Sequence, residues 1–171
     1  MEVADFIAPE GAINGLGARD KRQALEELSR RAAAVLGLDS AAILAPLLAR
    51  EELGSTGMGR GIAIPHARVP GLARPFGLLV RLARAIDFAA IDERPVDLVC
   101  LLLTPATAAA AHLPALACLS RRLREPGGGG AAAERQGPGR PLCHLQRAAR
   151  VALARNGCGP SANGRATREA Q

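Results

Sequence analysis

The sequence predicts a single α/β domain, in which helices cover both faces of a β-sheet, followed by a disordered C-terminal tail. Helical and extended apolar patterns alternate as far as residue 125, which is the order expected of a layered α/β domain. The run PVDLVCLLL (residues 95–103) is apolar on both faces, as in a central strand covered by helices on each side. From Pro126 onward the periodicity ends, and the last 46 residues contain nine Gly and four Pro, a composition typical of disorder.

Two amphipathic helices are predicted in the first third of the chain. Asp20 can cap the first, with Gln23 at the capping-box position, and Gly37 ends it. The second begins at Asp39 or Ser40 and carries Arg50 in its last turn. Apolar residues recur at helical spacing in both: Leu25, Leu28, Ala32 and Val35 or Leu36 in the first, and Ile43, Leu44, Leu47 and Leu48 in the second.

Strands and a third helix are predicted next. GIAIPHA (61–67) indicates a short strand stopped by Pro65, and PFGLLVRLA (75–83) precedes the apolar run at 95–103 as a second strand. The regular part of the third helix is expected to begin near residue 113, with Pro114 in its first turn. Its helical spacing is set by His112, Leu116, Leu119 and Leu123.

The charge and the composition exclude several classes of function. The net charge is +6, but residues 126–171 hold seven Arg and two Glu, so the first 125 residues are close to neutral. The chain has three Phe and neither Tyr nor Trp, so it lacks the aromatic platforms on which bases stack, and no nucleic-acid partner is expected. No run approaches the ~20 apolar residues of a membrane span. The N-terminus, MEVADFIAPEG, carries acid where a secretory signal is basic, so we expect a cytoplasmic protein without membrane insertion.

No metal and no cofactor are expected. The four cysteines form no CxxC pair, so in a cytoplasmic chain they are predicted to be free thiols; they are Cys100, Cys118, Cys143 and Cys158. His66 and His112 lack a third protein ligand with recognisable spacing, which a zinc site needs.

The segment GSTGMGRGIAIPHAR (54–68) is the candidate functional site. A neutral imidazole is a competent nucleophile near neutral pH, which makes His66 a candidate acceptor. Glycines allow backbone N–H groups to approach an anion, and Ser55 and Thr56 can add hydroxyl donors. Arg50 lies at a helix end, from which its guanidinium can bind phosphate oxygens. His112, near a helix N-terminus, would lie in a positive field that favours a phosphate.

Each of these features also has a plain structural interpretation. The glycine run (54–61) matches neither the P-loop nor the dinucleotide pattern, so by itself it indicates a turn. A histidine after proline, or on a helix face, is commonly structural. Arg50, Glu51 and Glu52 at a helix end would ordinarily form a solvated charge cluster. The residue types therefore permit metal-free phosphoryl transfer without requiring it.

Three longer blocks carry a family resemblance. LLAREELGSTGMGRGIAIPHARVPGL, IDFAAIDERPVDLVCLLLTP and HLPALACLSRRLRE occur in that order. Together they resemble enzyme IIA domains of the phosphotransferase system of the fructose–mannitol type (type 2), and most of all the nitrogen-regulatory branch. The resemblance covers residues 4–125. It implies a mixed β-sheet covered by helices and an enzyme IIA domain over residues 1–125.

The resemblance also implies roles for individual residues. His66 matches the histidine that accepts a phosphoryl group, on Nε2, from a phosphocarrier protein of the HPr type, and we expect it to project from the surface. Arg50 matches the arginine that steadies the phosphate, and His112 the second active-site histidine. The loop packed around the site would include Ser55, Thr56, Gly54, Gly59 and Gly61.

Several functions remain compatible with the resemblance. The first is a phosphocarrier that regulates nitrogen or carbon metabolism, or ion transport, by acting on target proteins through its phosphorylation state. Alternatives are a sugar-specific enzyme IIA that passes phosphate to a permease IIB domain, and a damaged domain that docks without carrying phosphate. The arginine-rich tail could instead act as a nucleic-acid arm.

The sequence departs from the family pattern in three places. Arg60 stands where the family often has Asn, and Ala67 stands where Gly usually follows the histidine, which matters if that residue needs a positive φ. Alanines precede His112, and Pro114 follows it, so its role is less firmly implied. The tail (126–171) lacks the family's further helical segment, and we expect residues from about Gly127 onward to be a frameshifted reading of a GC-rich gene.

Overall fold

A computed structural model of the chain describes residues 3–7, 11–107 and 109–124. The expectations of a disordered, frameshifted tail (126–171) and of free thiols at Cys143 and Cys158 lie outside the described residues. Among the described residues, neither the buried Cys100 nor the half-buried Cys118 forms a disulfide. No helix in the described ranges is both long enough and apolar enough to cross a membrane.

The two N-terminal helices confirm their predicted start signals. Helix α1 spans Lys21–Leu36, and the Asp20 carboxylate accepts the backbone N–H of Gln23 at 2.7 Å. Gly37 follows α1 in the left-handed region, with φ +67°. Helix α2 spans Ser40–Glu52 and is capped by Asp39.

The sheet is mixed, as expected. Its strands are β1 (Ala12–Leu16), β2 (Gly57–Gly59), β3 (Ile62–Ala63), β4 (His66–Val69), β5 (Phe76–Ile86) and β6 (Val96–Pro105). The order is β1-β5-β6-β3-β2, with β4 also paired to β6. β1 lies parallel to β5, β5 antiparallel to β6, and β3 and β4 parallel to β6. The described residues thus form six strands and three helices in one domain.

The predicted short strand before Pro65 is present as β3 (Ile62–Ala63), but Pro65 does not end the pairing with β6. Strands β3 and β4 pair in turn along β6, with Ile62 opposite Leu98 and His66 opposite Leu102. Proline lacks only the backbone donor, and the carbonyl of Pro65 accepts the N–H of Leu102 at 2.9 Å. Pairing therefore resumes immediately, and His66 begins a strand.

Strand β1 has no counterpart among the predicted elements. Its sequence, AINGL, contains an Asn-Gly pair, which by itself is a turn signal. Gly15 has φ +78°, and the register with β5 shifts between Asn14 and Leu16. The irregularity lets a turn-like pair lie within an edge strand.

Helix α3 spans Ala109–Arg124 and begins earlier than the predicted residue 113. The alanines before His112 are strong helix formers, and they extend the helix so that Pro114 lies inside it. His112 still lies near the N-terminus of the helix, as predicted.

The core lies in two layers, one on each face of the sheet. On β6, Val99, Leu101 and Leu103 pack with α1 and α2. The alternate residues Leu98, Cys100 and Leu102 pack with α3 and with Phe6 and Ile7, which follow a short 3-10 helix at Val3–Asp5. This confirms the prediction of a central strand covered on both sides.

Candidate functional site

His66 is recessed rather than projecting. It is the first residue of β4, and only 9% of its surface is exposed. The expectation of a protruding side chain is wrong because pairing with β6 continues through Pro65 and draws His66 into the sheet. Only a small part of the imidazole is therefore accessible to a reacting partner.

Both ring nitrogens of His66 have fixed neighbours. Nδ1 lies 2.8 Å from the carbonyl oxygen of Ile64, which can only accept, so Nδ1 carries a proton and donates it. Nε2 accepts a hydrogen bond from Nε–H of Arg50 at 3.0 Å. In the neutral ring the lone pair is therefore on Nε2, which makes Nε2 the nucleophilic nitrogen.

The surroundings also keep His66 neutral. Burial lowers the pKa of His66 below its ordinary value, and the Arg50 guanidinium lowers it further. The Ile64 carbonyl and the Glu51 carboxylate oppose these effects without reversing the direction. A neutral imidazole keeps its lone pair available at physiological pH.

Arg50 is held between His66 and the following loop. It lies in the last turn of α2, and its Nη1–H donates to the carbonyl of Gly54 at 2.9 Å. The guanidinium is thus fixed by one bond to protein backbone and one to the imidazole, as its forked geometry allows.

His112 comes close to His66, as the sequence predicts. The two ring centroids lie 5.4 Å apart, with a 48° angle between the planes. Nδ1 of His112 shares a hydrogen bond of 2.8 Å with the hydroxyl of Thr104, which is fully buried on β6. Burial lowers the pKa of His112, and the nearby His66, Arg68 and Arg50 add to this effect.

Ser55 and Thr56 do not offer free hydroxyl donors. The Ser55 hydroxyl donates to the carbonyl of Phe88 at 2.6 Å and accepts the N–H of Gly57 at 3.0 Å. The Thr56 hydroxyl donates to the Glu51 carboxylate at 2.6 Å. Both protons are taken by protein acceptors, so these residues shape the loop, and the prediction that they donate to an anion is wrong for this arrangement.

Glycine is required at the next turn for two reasons. A Cβ on Gly57 would lie 2.8 Å from the backbone of Ala90, too close for any side chain. Gly59 and Gly61 both have positive φ, and Arg60 between them has φ +57°. Asn tolerates that region better than most residues, which gives Arg60 a physical cost at this position.

The substitution at Ala67 carries no such cost. Ala67 lies in β4, its backbone is outside the positive-φ region, and its methyl group is buried in the core beside α1 and α2. The conditional concern that this residue needs glycine's freedom therefore does not apply.

Glu51 is the site residue that the sequence does not reveal. Its carboxylate is only 7% exposed and accepts hydrogen bonds from the backbone and hydroxyl of Thr56 and from Nζ of Lys21. The interpretation of residues 50–52 as a solvated cluster is wrong for this residue. Glu51 and Glu52 are identical neighbours in sequence, so composition and spacing give no means of telling them apart.

The arrangement suits transfer of a group to nitrogen. A nucleophilic Nε2, a guanidinium bonded to it and a second imidazole lie close together, and all three are groups that can contact an anion. In the described ranges, no three or more His, Cys, Asp or Glu side chains gather where they could hold a metal ion.

Comparison with known proteins assigns the family. The model of the "Phosphoenolpyruvate-dependent sugar phosphotransferase system, EIIA 2" matches residues 6–128. The nitrogen regulatory protein of Bradyrhizobium diazoefficiens is 48% identical over 125 residues, which cover 73% of this chain and 82% of that protein. That of Escherichia coli (strain K12) is 42% identical over 126 residues, covering 73% and 77%.

A solved structure gives the same result. The nitrogen regulatory protein IIA-Ntr from Neisseria meningitidis aligns with a TM-score of 0.73 at 26% identity, covering 86% of this chain and 98% of that one. The chain therefore belongs to the EIIA type-2 family, whose members are phosphotransfer components of the phosphoenolpyruvate-dependent sugar phosphotransferase system.

Proposed function

We propose that this protein accepts a phosphoryl group on Nε2 of His66 from an HPr-type phosphocarrier protein. The observation that carries the proposal is the pair of hydrogen bonds made by the two nitrogens of the His66 imidazole. The Ile64 carbonyl holds the proton on Nδ1, and this leaves the lone pair on Nε2, where Arg50 lies 3.0 Å away. The tautomer and the charge partner required for phosphoryl transfer are thus already present.

The reaction needs no metal and no external base. The Nε2 lone pair attacks the phosphorus of a phosphohistidine on the donor protein. The donor's P–N bond breaks, and its electron pair stays on the donor ring nitrogen. The phosphorylated His66 ring retains its Nδ1 proton, and the Ile64 carbonyl stabilises the positive charge that the ring acquires. Catalysis comes from positioning and charge stabilisation of a loose transition state.

Arg50 has two successive contacts in this proposal. Before transfer its Nε–H bonds to the lone pair that must attack, so the guanidinium has to leave Nε2. Its fork then binds phosphoryl oxygens, and the bond from Nη1 to Gly54 guides the movement. Before transfer, the hydrogen bond from Arg50 occupies the lone pair of His66 Nε2, and it is replaced when phosphoryl oxygens become available as acceptors for Arg50.

His112 supports the phosphoryl group without carrying it. When the Thr104 hydroxyl donates to Nδ1 of His112, the proton of the neutral ring is on Nε2. That N–H can then donate to a phosphoryl oxygen on the neighbouring His66. Because the pKa of each ring is lowered, the pair does not repel as two cations at neutral pH.

We assign the protein to the nitrogen-regulatory branch. The two relatives at 48% and 42% identity are both named nitrogen regulatory proteins. In this role the phosphorylation state of His66 would control target proteins of nitrogen or carbon metabolism, or of ion transport, in the cytoplasm. The competing role is that of a sugar-specific enzyme IIA that donates to a permease IIB domain.

The test is incubation of the full chain with a phosphorylated HPr-type donor. We expect intact-mass analysis to show one added phosphoryl group that is lost in acid and maps to His66. A second incubation with a IIB domain separates the two roles, because only a sugar-specific enzyme IIA should lose its phosphoryl group rapidly to IIB. No gain of phosphate, or phosphate on another residue, would overturn the proposal.

A further inference from the structure

We infer that Glu51 is a positioning residue for phosphoryl transfer, because its carboxylate fixes the backbone that orients both His66 and Arg50. This inference rests on the proposed function of His66. The carboxylate does not touch the reacting atoms, and it acts through Thr56 and the loop that Thr56 closes.

The Glu51 carboxylate is almost fully buried, and both of its oxygens accept hydrogen bonds. The backbone N–H of Thr56 donates to Oε1 at 3.1 Å and to Oε2 at 3.2 Å, and the Thr56 hydroxyl donates to Oε2 at 2.6 Å. Lys21 Nζ donates to Oε1 at 3.1 Å. A carboxylate buried to this degree is kept only where its bonds are complete.

One hydrogen-bonded path leads from Glu51 to the imidazole. Glu51 holds Thr56, the carbonyl of Thr56 accepts the N–H of Ile64 at 3.0 Å, and the carbonyl of Ile64 accepts Nδ1–H of His66 at 2.8 Å. The Ile64 carbonyl decides which ring nitrogen is protonated. A displacement of the Thr56 backbone would therefore move the Ile64 carbonyl and change which nitrogen of His66 is protonated.

A second path leads to Arg50. The N–H of Gly54 donates to the Glu51 carbonyl at 3.2 Å, and the carbonyl of Gly54 accepts Nη1–H of Arg50 at 2.9 Å. By binding Thr56, the Glu51 carboxylate closes this turn from its far side. The turn then presents the Gly54 carbonyl toward Arg50.

Lys21 balances the charge and ties the network to the first helix. It is the single lysine of the chain, and its Nζ also lies 5.5 Å from the centre of the Phe88 ring. The carbonyl of Phe88 in turn accepts the Ser55 hydroxyl. The loop at residues 54–57 is thus held from two sides, by Glu51 and by the Phe88 segment.

Glu52 is the matched control. It follows Glu51 in the same helical turn, carries the same charge, and its side chain is exposed. Replacing either glutamate by glutamine removes one negative charge from the same helical turn. Only the change at Glu51 disturbs the bonds to Thr56.

The experiment compares Glu51→Gln with Glu52→Gln, and Thr56→Val with Thr56→Ser, in the full chain. Nitrogen NMR of the unphosphorylated imidazole reports the tautomer of His66, and single-turnover mixing with the phosphorylated HPr-type donor reports the rate. In Glu51→Gln we expect a mixture of His66 tautomers and a loss of rate on the order of 10- to 100-fold, the scale of small misplacements. Glu52→Gln should match the wild type, and Thr56→Ser should restore what Thr56→Val loses.

Wild-type tautomer and rate in Glu51→Gln would overturn the inference, as would equal loss in both Thr56 variants. If Glu51→Gln fails to fold, the Thr56 pair decides, since it leaves the carboxylate and the backbone bond in place. If the wild type takes up no phosphoryl group, the proposed function fails, while the NMR measurement still decides whether Glu51 orients His66.

Discussion

Nε–H of Arg50 donates a hydrogen bond to Nε2 of His66 across 3.0 Å, so in the proposed reaction the accepting nitrogen starts out bonded to the guanidinium that would stabilise the phosphoryl group. The contact fixes the tautomer from one side while the Ile64 carbonyl fixes it from the other. The proposed transfer requires Arg50 to exchange this contact for one with the phosphoryl group, so we expect its side-chain geometry to matter as much as its charge.

Arg50→Lys tests this requirement. Lysine keeps the positive charge but cannot bond Nε2 and Gly54 together through a planar fork. We expect phosphorylation of His66 to slow by on the order of 10- to 100-fold, with little change in melting temperature. Rapid mixing with the phosphorylated donor measures the rate. A rate equal to the wild type would reduce Arg50 to a general surface charge.

His66→Ala tests the acceptor itself. The variant should take up no acid-labile phosphate, because it lacks the nucleophilic nitrogen. Since His66 is recessed and bonds the Ile64 carbonyl, we also expect a loss of about 1–3 kcal/mol in unfolding free energy. Intact mass and denaturant unfolding measure the two effects. Retained phosphate uptake would move the acceptor to another residue.

His112→Ala tests the supporting histidine. The phosphoryl group should still reach His66, but without the hydrogen bond from the second ring. Loss of one bond to a charged group, about 1.5–3 kcal/mol, corresponds to a rate or product stability reduced by roughly 10- to 100-fold. Thr104→Val should show part of the same effect, since it removes the hydroxyl that orients the ring. Mapping the phosphate to His112 in the wild type would reverse the two roles.

The sequence predicts the fold better than it predicts the geometry of the site. Strand β6 is apolar on both faces, and the capping residues of α1 and α2 act through bonds within a few residues, so local pattern is sufficient for these elements. The exposure of His66 depends instead on whether pairing with β6 resumes after Pro65. That is decided by contacts between distant segments, and the local pattern predicts the opposite.

The hydrogen bonds of Glu51 also depend on contacts between separate segments, so local sequence pattern does not predict them. Its partners Lys21 and Thr56 lie 30 and 5 residues away in the chain, and the neighbouring Glu52 is exposed. The end of α2 and the loop that follows it determine which of the two adjacent glutamates is buried. A single sequence read by periodicity does not contain that information.

The lowered pKa values of the two histidines predict how stability depends on pH. Burial lowers the pKa of both His66 and His112, so below about pH 6.5 the unfolded chain binds more protons than the folded one. The stability is therefore fully present above that pH and falls as the pH drops through the two folded pKa values. Denaturant unfolding between pH 7.5 and 5 should show this fall for the wild type.

The control for the pH prediction is the double variant His66→Ala/His112→Ala. It keeps every carboxylate, so its stability should change less across the same range. Parallel pH profiles for the two proteins would show that the histidines do not carry the effect. An NMR titration of each ring gives the same answer directly, as a midpoint below the ordinary value.

The last prediction concerns the reading frame of residues from about Gly127 onward. The family match ends at residue 128. The sequence after it is rich in Gly, Arg, Ala and Pro, which are the residues that GC-rich codons specify in any reading frame. The chain has 21 Arg and one Lys, which indicates a GC-rich gene. We expect one of the other two frames after the codon for Pro126 to encode a helical segment rich in Leu and Ala with alternating charge. Sequencing and translating the coding DNA measures this, and the absence of such a segment from both frames would make the tail a genuine variant.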